Sequence, residues 1–176
     1  MPSAVRRIKR LVITGTVITA MVTASAARAD APLHFGPFTN AYSFIGFTCG
    51  GSDILIEGEG TDSFTVFLDD TGEMTRVIYR ARYPHDTLTN TVSGASIVVR
   101  GEFQEFIERI PRTDDFTKTI VGFRYLVNEP GAGVTIRDVG RITYGDLEQT
   151  VVLWQAGDHD LALESAFVPT FCDALA

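Results

Sequence analysis

Between Arg76 and Tyr83 the chain alternates: Val77, Tyr79, Ala81 and Tyr83 fall on one side, Arg76, Ile78, Arg80 and Arg82 on the other. A period of two belongs to a strand with one dry and one wet face; a helix repeats about every 3.6 residues. The same period recurs along most of the chain. Phe44–Cys49, Asp53–Gly60 and Ser63–Leu68 read as strands, the last with Phe64, Val66 and Leu68 on one face. Thr87–Val92 and Ala95–Phe103 flank Ser93-Gly94, a hairpin dipeptide. Phe116–Val127, Val134–Tyr144 and Thr150–Ala156 complete the set. Turn residues separate them at Gly50-Gly51-Ser52, Asp69-Asp70-Thr71-Gly72, Pro84, Pro111 to Asp115, Pro130-Gly131-Ala132-Gly133 and Gly145-Asp146, and Gly157 to Asp160 reads as a loop.

Three stretches need a choice. Glu102 to Ile110 places Phe103, Phe106, Ile107 and Ile110 at helical spacing, yet Phe116–Val127 follows with strand composition and can pair back across the Asp-rich turn, so the strand is preferred. Asp30 to Asn40 reads as a lead-in. Thr170–Leu175 reads as a short last helix, with Thr170 capping it after Pro169. The expected fold is all-β and antiparallel, with about nine or ten short strands and a short C-terminal helix. A closed or nearly closed barrel is preferred because consecutive hairpins must hide their edges, with a sandwich as the alternative.

The first residues read differently. Arg6, Arg7, Lys9 and Arg10 precede an apolar run from Leu11 to Val22, and Ala27-Arg28-Ala29 supplies an A-x-A cleavage pattern. The run is shorter than the roughly twenty apolar residues that span a bilayer. These features predict a signal peptide over residues 1–29 and a single secreted, extracellular β domain over 30–176, with no membrane attachment after cleavage. Arg6-Arg7 also fits a twin-arginine signal, but Ile8-Lys9-Arg10 matches that pattern poorly. Losing the five basic residues of the leader takes the formal charge from −7 to −12. A chain this acidic repels phosphate backbones, so nucleic acid is not an expected partner. Cys49 and Cys172 are the two cysteines, and an even count in an exported chain predicts a disulfide. Closing so long a loop stabilises by roughly 4–5 kcal/mol in chain-entropy terms.

Few motifs carry chemistry. Asp158-His159-Asp160 is the best metal candidate, but only His34 and His85 join His159, and H-x-H, H-E-x-x-H and C-x-x-C are absent. In an extended segment the two aspartates share a face and His159 points away. Asp69-Asp70-Thr71-Gly72-Glu73 lacks the spacing of a calcium loop and reads as a turn. Ser93 and Ser96 are not in a G-x-S-x-G elbow. Glu57 with Glu59, and Glu102 with Arg100 and Arg76, read as solvated strand faces. No catalytic residue, metal or cofactor is therefore expected. Among the aromatics, Tyr79, Tyr83, Phe123 and Trp154 are the candidates to line a ligand cavity in a wide barrel.

Cys49, the Thr89-Asn90-Thr91-Val92-Ser93-Gly94 turn, Pro130-Gly131-Ala132-Gly133, Asp138-Val139-Gly140-Arg141, Gly157-Asp158-His159-Asp160 and Cys172-Asp173-Ala174-Leu175 occur in an order that resembles a group of uncharacterised secreted all-β proteins of actinobacteria. The resemblance spans most of the chain after the leader and implies a secreted bacterial β protein; it brings no activity, so no functional residue transfers. Lipocalins are a looser analogy, since their early G-x-W is missing and the sole Trp154 lies near the end. The leading expectation is a secreted non-enzymatic β-barrel that binds a small apolar ligand or a surface partner. The alternatives are an extracellular hydrolase acting through carboxylates or His159, and a structural or interaction module of the cell envelope.

Overall fold

A computed structural model describes residues 31–129 and 133–176, the side chains of 129 and 134 excepted. The expected leader and the Pro130-Gly131-Ala132 break lie outside the described residues. Seven strands form one antiparallel sheet in chain order: β1 Leu33–Cys49, β2 Ser52–Leu68, β3 Met74–Asn90, β4 Ser96–Arg109, β5 Phe116–Glu129, β6 Gly133–Tyr144 and β7 Val152–His159. One helix follows, α1 Glu164–Ala174. The all-β antiparallel class stands. The sheet is not closed: β1 and β7 are its two ends and do not pair with each other.

The strands are fewer and longer than their turn residues imply, because several breaks are bulges. Asp53–Gly60 and Ser63–Leu68 are one strand, β2, and the lead-in extends β1, with Leu33 opposite Val66 and Phe35 opposite Phe64. Pro84 does not end β3. The β2 ladder skips from Thr87 to Arg82 and the β4 ladder from Asp86 to Tyr83, so Pro84 sits where neither neighbour needs its missing N–H. The Glu102 to Ile110 stretch is strand up to Arg109, as preferred. Gly157 to His159 belongs to β7 and not to a loop. Gly157 is in register with Gly140, and Gly140 with Gly122. All three have positive φ, and a Cβ on Gly140 would stand 2.2 Å from the Ala156 carbonyl oxygen. A line of glycine kinks therefore crosses β5, β6 and β7 where other side chains do not fit.

The helix departs most from expectation. It starts at Glu164, with Leu163 as its N-cap, and encloses Pro169 and Thr170. Thr170 is not a cap. Phe167, Phe171 and Leu175 recur every fourth residue and turn onto the sheet, and that burial outweighs the hydrogen bond Pro169 removes. Phe171 and Leu175 join Ile54, Leu88, Ile97, Val99, Val127, Ile136 and Leu161 in the main core. Phe47 and Tyr125 pack around Phe167 and Phe171, with ring centroids 5.4 to 6.3 Å apart. Truncating a ring so buried as Phe171 to alanine costs about 3–5 kcal/mol. A smaller core of Ile120, Ile142 and Tyr144 lies under Phe103, Val152 and Ala162. Cys49 at the end of β1 is bonded to Cys172 in α1, a span of 123 residues that fastens the helix over the sheet.

Candidate functional site

Even-numbered residues of β2 from Ile54 to Val66 share the face that carries the core, and this phase places Asp62 there with Phe64. The Tyr79 hydroxyl donates to Asp62 Oδ1 at 2.6 Å and that of Tyr83 at 2.9 Å. The two phenol oxygens are themselves 2.6 Å apart. The hydroxyls supply one hydrogen each, so two of the three contacts are filled at a time. Tyr42 donates to Asp86 Oδ1 at 2.6 Å. Glycine makes room for both groups: a Cβ on Gly60 would stand 2.5 Å from the Tyr83 ring, and one on Gly58 would stand 2.1 Å from Asp86 Oδ1. Burial, reinforced by the adjacent carboxylates, pushes the phenols of Tyr42, Tyr79 and Tyr83 well above the ordinary tyrosine range. Burial also raises the Asp86 carboxyl, against the opposing pull of the Tyr42 hydrogen bond.

A second polar group lies farther along the same sheet. The ladders on both sides of β5 skip between Phe123 and Tyr125 or Leu126, and this bulge turns Arg124 and Tyr125 toward the core in succession. Arg124 Nε donates to Asp138 Oδ2 at 2.7 Å and Nη2 to the Leu161 carbonyl at 2.7 Å, while Nη1 donates to Gln149 Oε1. His159 Nδ1 donates to Asp138 Oδ1 at 2.7 Å, and Nε2 faces the Ala156 carbonyl at 3.2 Å. The side chains are 9% (Arg124), 2% (Asp138) and 3% (His159) exposed. Burial works against the Arg124 charge, but Asp138, with Tyr125 and Tyr144 acting in the same direction, outweighs it, so its proton is held more tightly than usual.

A pocket of about 320 Å³ opens beside this network, between Gly46-Phe47 of β1 and the start of α1. Phe47, Tyr125, Leu161, Leu163, Phe167 and Val168 supply its apolar wall, and Arg124, Gln149 and Glu164 its polar groups.

Of the aromatics expected to line a cavity, Tyr79 and Tyr83 come together at Asp62, and both pack on Phe103. Phe123 is elsewhere, in register with Glu102 and Val139. Trp154 stands half-exposed on β7 beneath the Arg141 guanidinium, 5.5 Å from its ring centroid. Asp158 accepts from Arg137 Nη1 at 2.9 Å, and Asp160 accepts from the Arg137 amide at 2.7 Å, while His159 turns to the opposite face, as the strand period requires. Asp69 accepts from the Thr71 and Glu73 amides, which makes its segment a turn. Glu57 accepts from Ser43 Oγ at 3.2 Å. Among the described residues, no group of three or more His, Cys, Asp or Glu side chains is placed to hold a metal, and no helix is long and apolar enough to cross a membrane.

Reading the sequence passed over Arg124, Asp138 and Gln149. The signal for the first two is phase: Ile120, Gly122 and Arg124 alternate on one strand, and Ile136, Asp138, Gly140 and Ile142 on the next. Opposite charges on two neighbouring dry faces point to a buried pair. No family model matches the chain, and no curated protein or solved structure is significantly similar to it.

Proposed function

We propose that this chain is an extracellular, non-enzymatic binding protein, an incompletely closed barrel that holds a small, largely apolar ligand in the pocket beneath α1. The observation that carries this reading is the pocket itself. It has about 320 Å³ of space, an aromatic and aliphatic wall, and the Arg124–Gln149 pair at one end to orient a polar group. Small-molecule sites combine these features: an apolar body, few polar groups and a rigid frame. The frame here is the disulfide-fastened helix on one side and the Arg124–Asp138 pair on the other. The hydrolase alternative has less support. Both ring nitrogens of His159 face protein acceptors, and Asp62 and Asp86 are occupied by tyrosine hydroxyls. The exposed apolar side chains of β1, Phe38, Phe44 and Ile45, favour a second reading in which a protein surface docks along that edge strand.

Titration with the neutral fluorophore N-phenyl-1-naphthylamine tests the pocket. The native chain is expected to bind and enhance its emission, and Val168→Trp, which fills the space, to weaken binding about tenfold or more, equivalent to roughly 1.4 kcal/mol. Equal binding by the native chain and Val168→Trp, or none by either, rules the pocket out.

A further inference from the structure

A groove of about 760 Å³ lies along the middle strands and is lined by Arg76, Arg80, Arg82 and Arg141. A groove with four arginines is unexpected on a chain of formal charge −7. Two of the four are neutralised in place: Arg76 Nε is 3.3 Å from Glu108, and Arg82 Nε is 3.7 Å from Glu102. The third acid of the lining, Asp62, is held by Tyr79 and Tyr83. The Arg80 guanidinium has no hydrogen bond or ion pair among the described residues, and that of Arg141 has only the face of Trp154. Arg80, Gln104, Val121 and Arg141 are consecutive partners across β3, β4, β5 and β6. Their backbones therefore span three strand spacings, roughly 14 Å.

We propose that this groove binds a short acidic oligosaccharide, with uronate carboxylates at Arg80 and Arg141. The guanidinium fork matches a carboxylate, and two unneutralised forks at fixed separation match two such groups on one small chain. Gln104 lines the groove between Arg80 and Arg141, Ser63 lines it on the other side of Arg80, and both offer hydrogen-bonding partners for sugar hydroxyls. The Trp154 ring, 51% exposed beside Arg141, supplies an apolar face for a sugar ring at one end. The surrounding negative charge disfavours a long polyanion such as nucleic acid, whose remaining phosphates would face acids beyond the groove.

Calorimetric titration of the purified, disulfide-bonded chain with trigalacturonate at low salt is the test, with maltotriose as neutral control and oligo(dT) as the rival polyanion. The expected result is binding of trigalacturonate that falls with added salt and weakens about tenfold or more in each of Arg80→Gln and Arg141→Gln, the loss of one charge-assisted hydrogen bond. Both positions are exposed, so circular dichroism of the variants is expected to match the native spectrum. Val168→Trp is expected to leave this affinity unchanged, which separates the groove from the pocket beneath α1. No heat with trigalacturonate, unchanged affinity in Arg80→Gln or Arg141→Gln, loss in Val168→Trp, maltotriose binding equally well, or tighter binding of oligo(dT) would each overturn the proposal.

Discussion

Asp138→Asn tests the interior with one atom changed. The amide keeps the size and one acceptor oxygen of the carboxylate but removes its charge. Arg124 would then keep a buried positive charge with no counterion, and His159 would lose a charge-assisted bond. Removing one member of a buried ion pair costs about 3–5 kcal/mol, mostly from the charge left behind. Against a total stability of roughly 5–15 kcal/mol, that leaves a marginal protein. At about 3–4 °C per kcal/mol for a chain of this size, the melting temperature should fall by roughly 9–20 °C. Urea titration followed by far-ultraviolet circular dichroism measures it, with a lower midpoint and an unchanged slope as the expected signature. The double variant Arg124→Met with Asp138→Leu removes both charges and should recover much of the loss, since apolar replacements avoid the desolvation cost. A loss below about 1 kcal/mol in Asp138→Asn would mean that the pair is solvated, as exposed ion pairs are, and would refute the reasoning.

Two further outcomes follow from the same face of the sheet. All five tyrosines of the chain, Tyr42, Tyr79, Tyr83, Tyr125 and Tyr144, are held above the ordinary tyrosine value, first by burial. The unfolded chain ionises them near pH 10 while the folded chain does not, so their contribution is full below about pH 10 and is lost as pH rises above it. An alkaline titration read by tyrosinate absorbance and circular dichroism should show both signals changing together; tyrosinate forming near pH 10 in a chain that keeps its native spectrum would contradict this. Gly140→Ala should destabilise by roughly 2–4 kcal/mol in urea unfolding, because φ of +131° strains any side chain and the obstructing Ala156 oxygen is backbone that cannot move aside. A cost under about 0.5 kcal/mol would mean that the kink line is not fixed there.

What the sequence disclosed, and what it withheld, divide along the reach of the signal. Alternation is local, so Arg76–Tyr83 announced a strand and its wet arginine face, the face that holds the groove. The partnership of Cys49 and Cys172 is a statement about compartment and count, and it too needed no geometry. Glycine and proline misled because they bend a strand as readily as they end one. Pro84 sits where two ladders skip together, and Gly157 continues a kink begun at Gly122 two strands away, so neither can be read without its neighbours. The helix start was misplaced for a related reason. Thr170 is a good cap in isolation, but Phe167 needed a helical neighbour in Phe171 to reach Phe47 and Tyr125.

The same division separates the shared face of Tyr79 and Tyr83, which alternation alone gives, from the adjacent inward pair Arg124 and Tyr125, which it does not. A strand with aromatics every second residue puts them on one face whatever the fold, and the fold then only has to bring Asp62 opposite. Arg124 keeps the inward phase of Ile120 and Gly122, and the bulge turns Tyr125 inward directly after it, which period-two reading forbids for adjacent residues. Its consequence reaches the candidate site directly. With the bulge, Tyr125 packs on α1 while Arg124 reaches Asp138, Gln149 and Leu161, so one irregular position supplies both an apolar wall and the polar end of the pocket. A regular strand would bring only one of the two inward. The extra residue in β5 is thus what gives the pocket both its aromatic wall and its polar end.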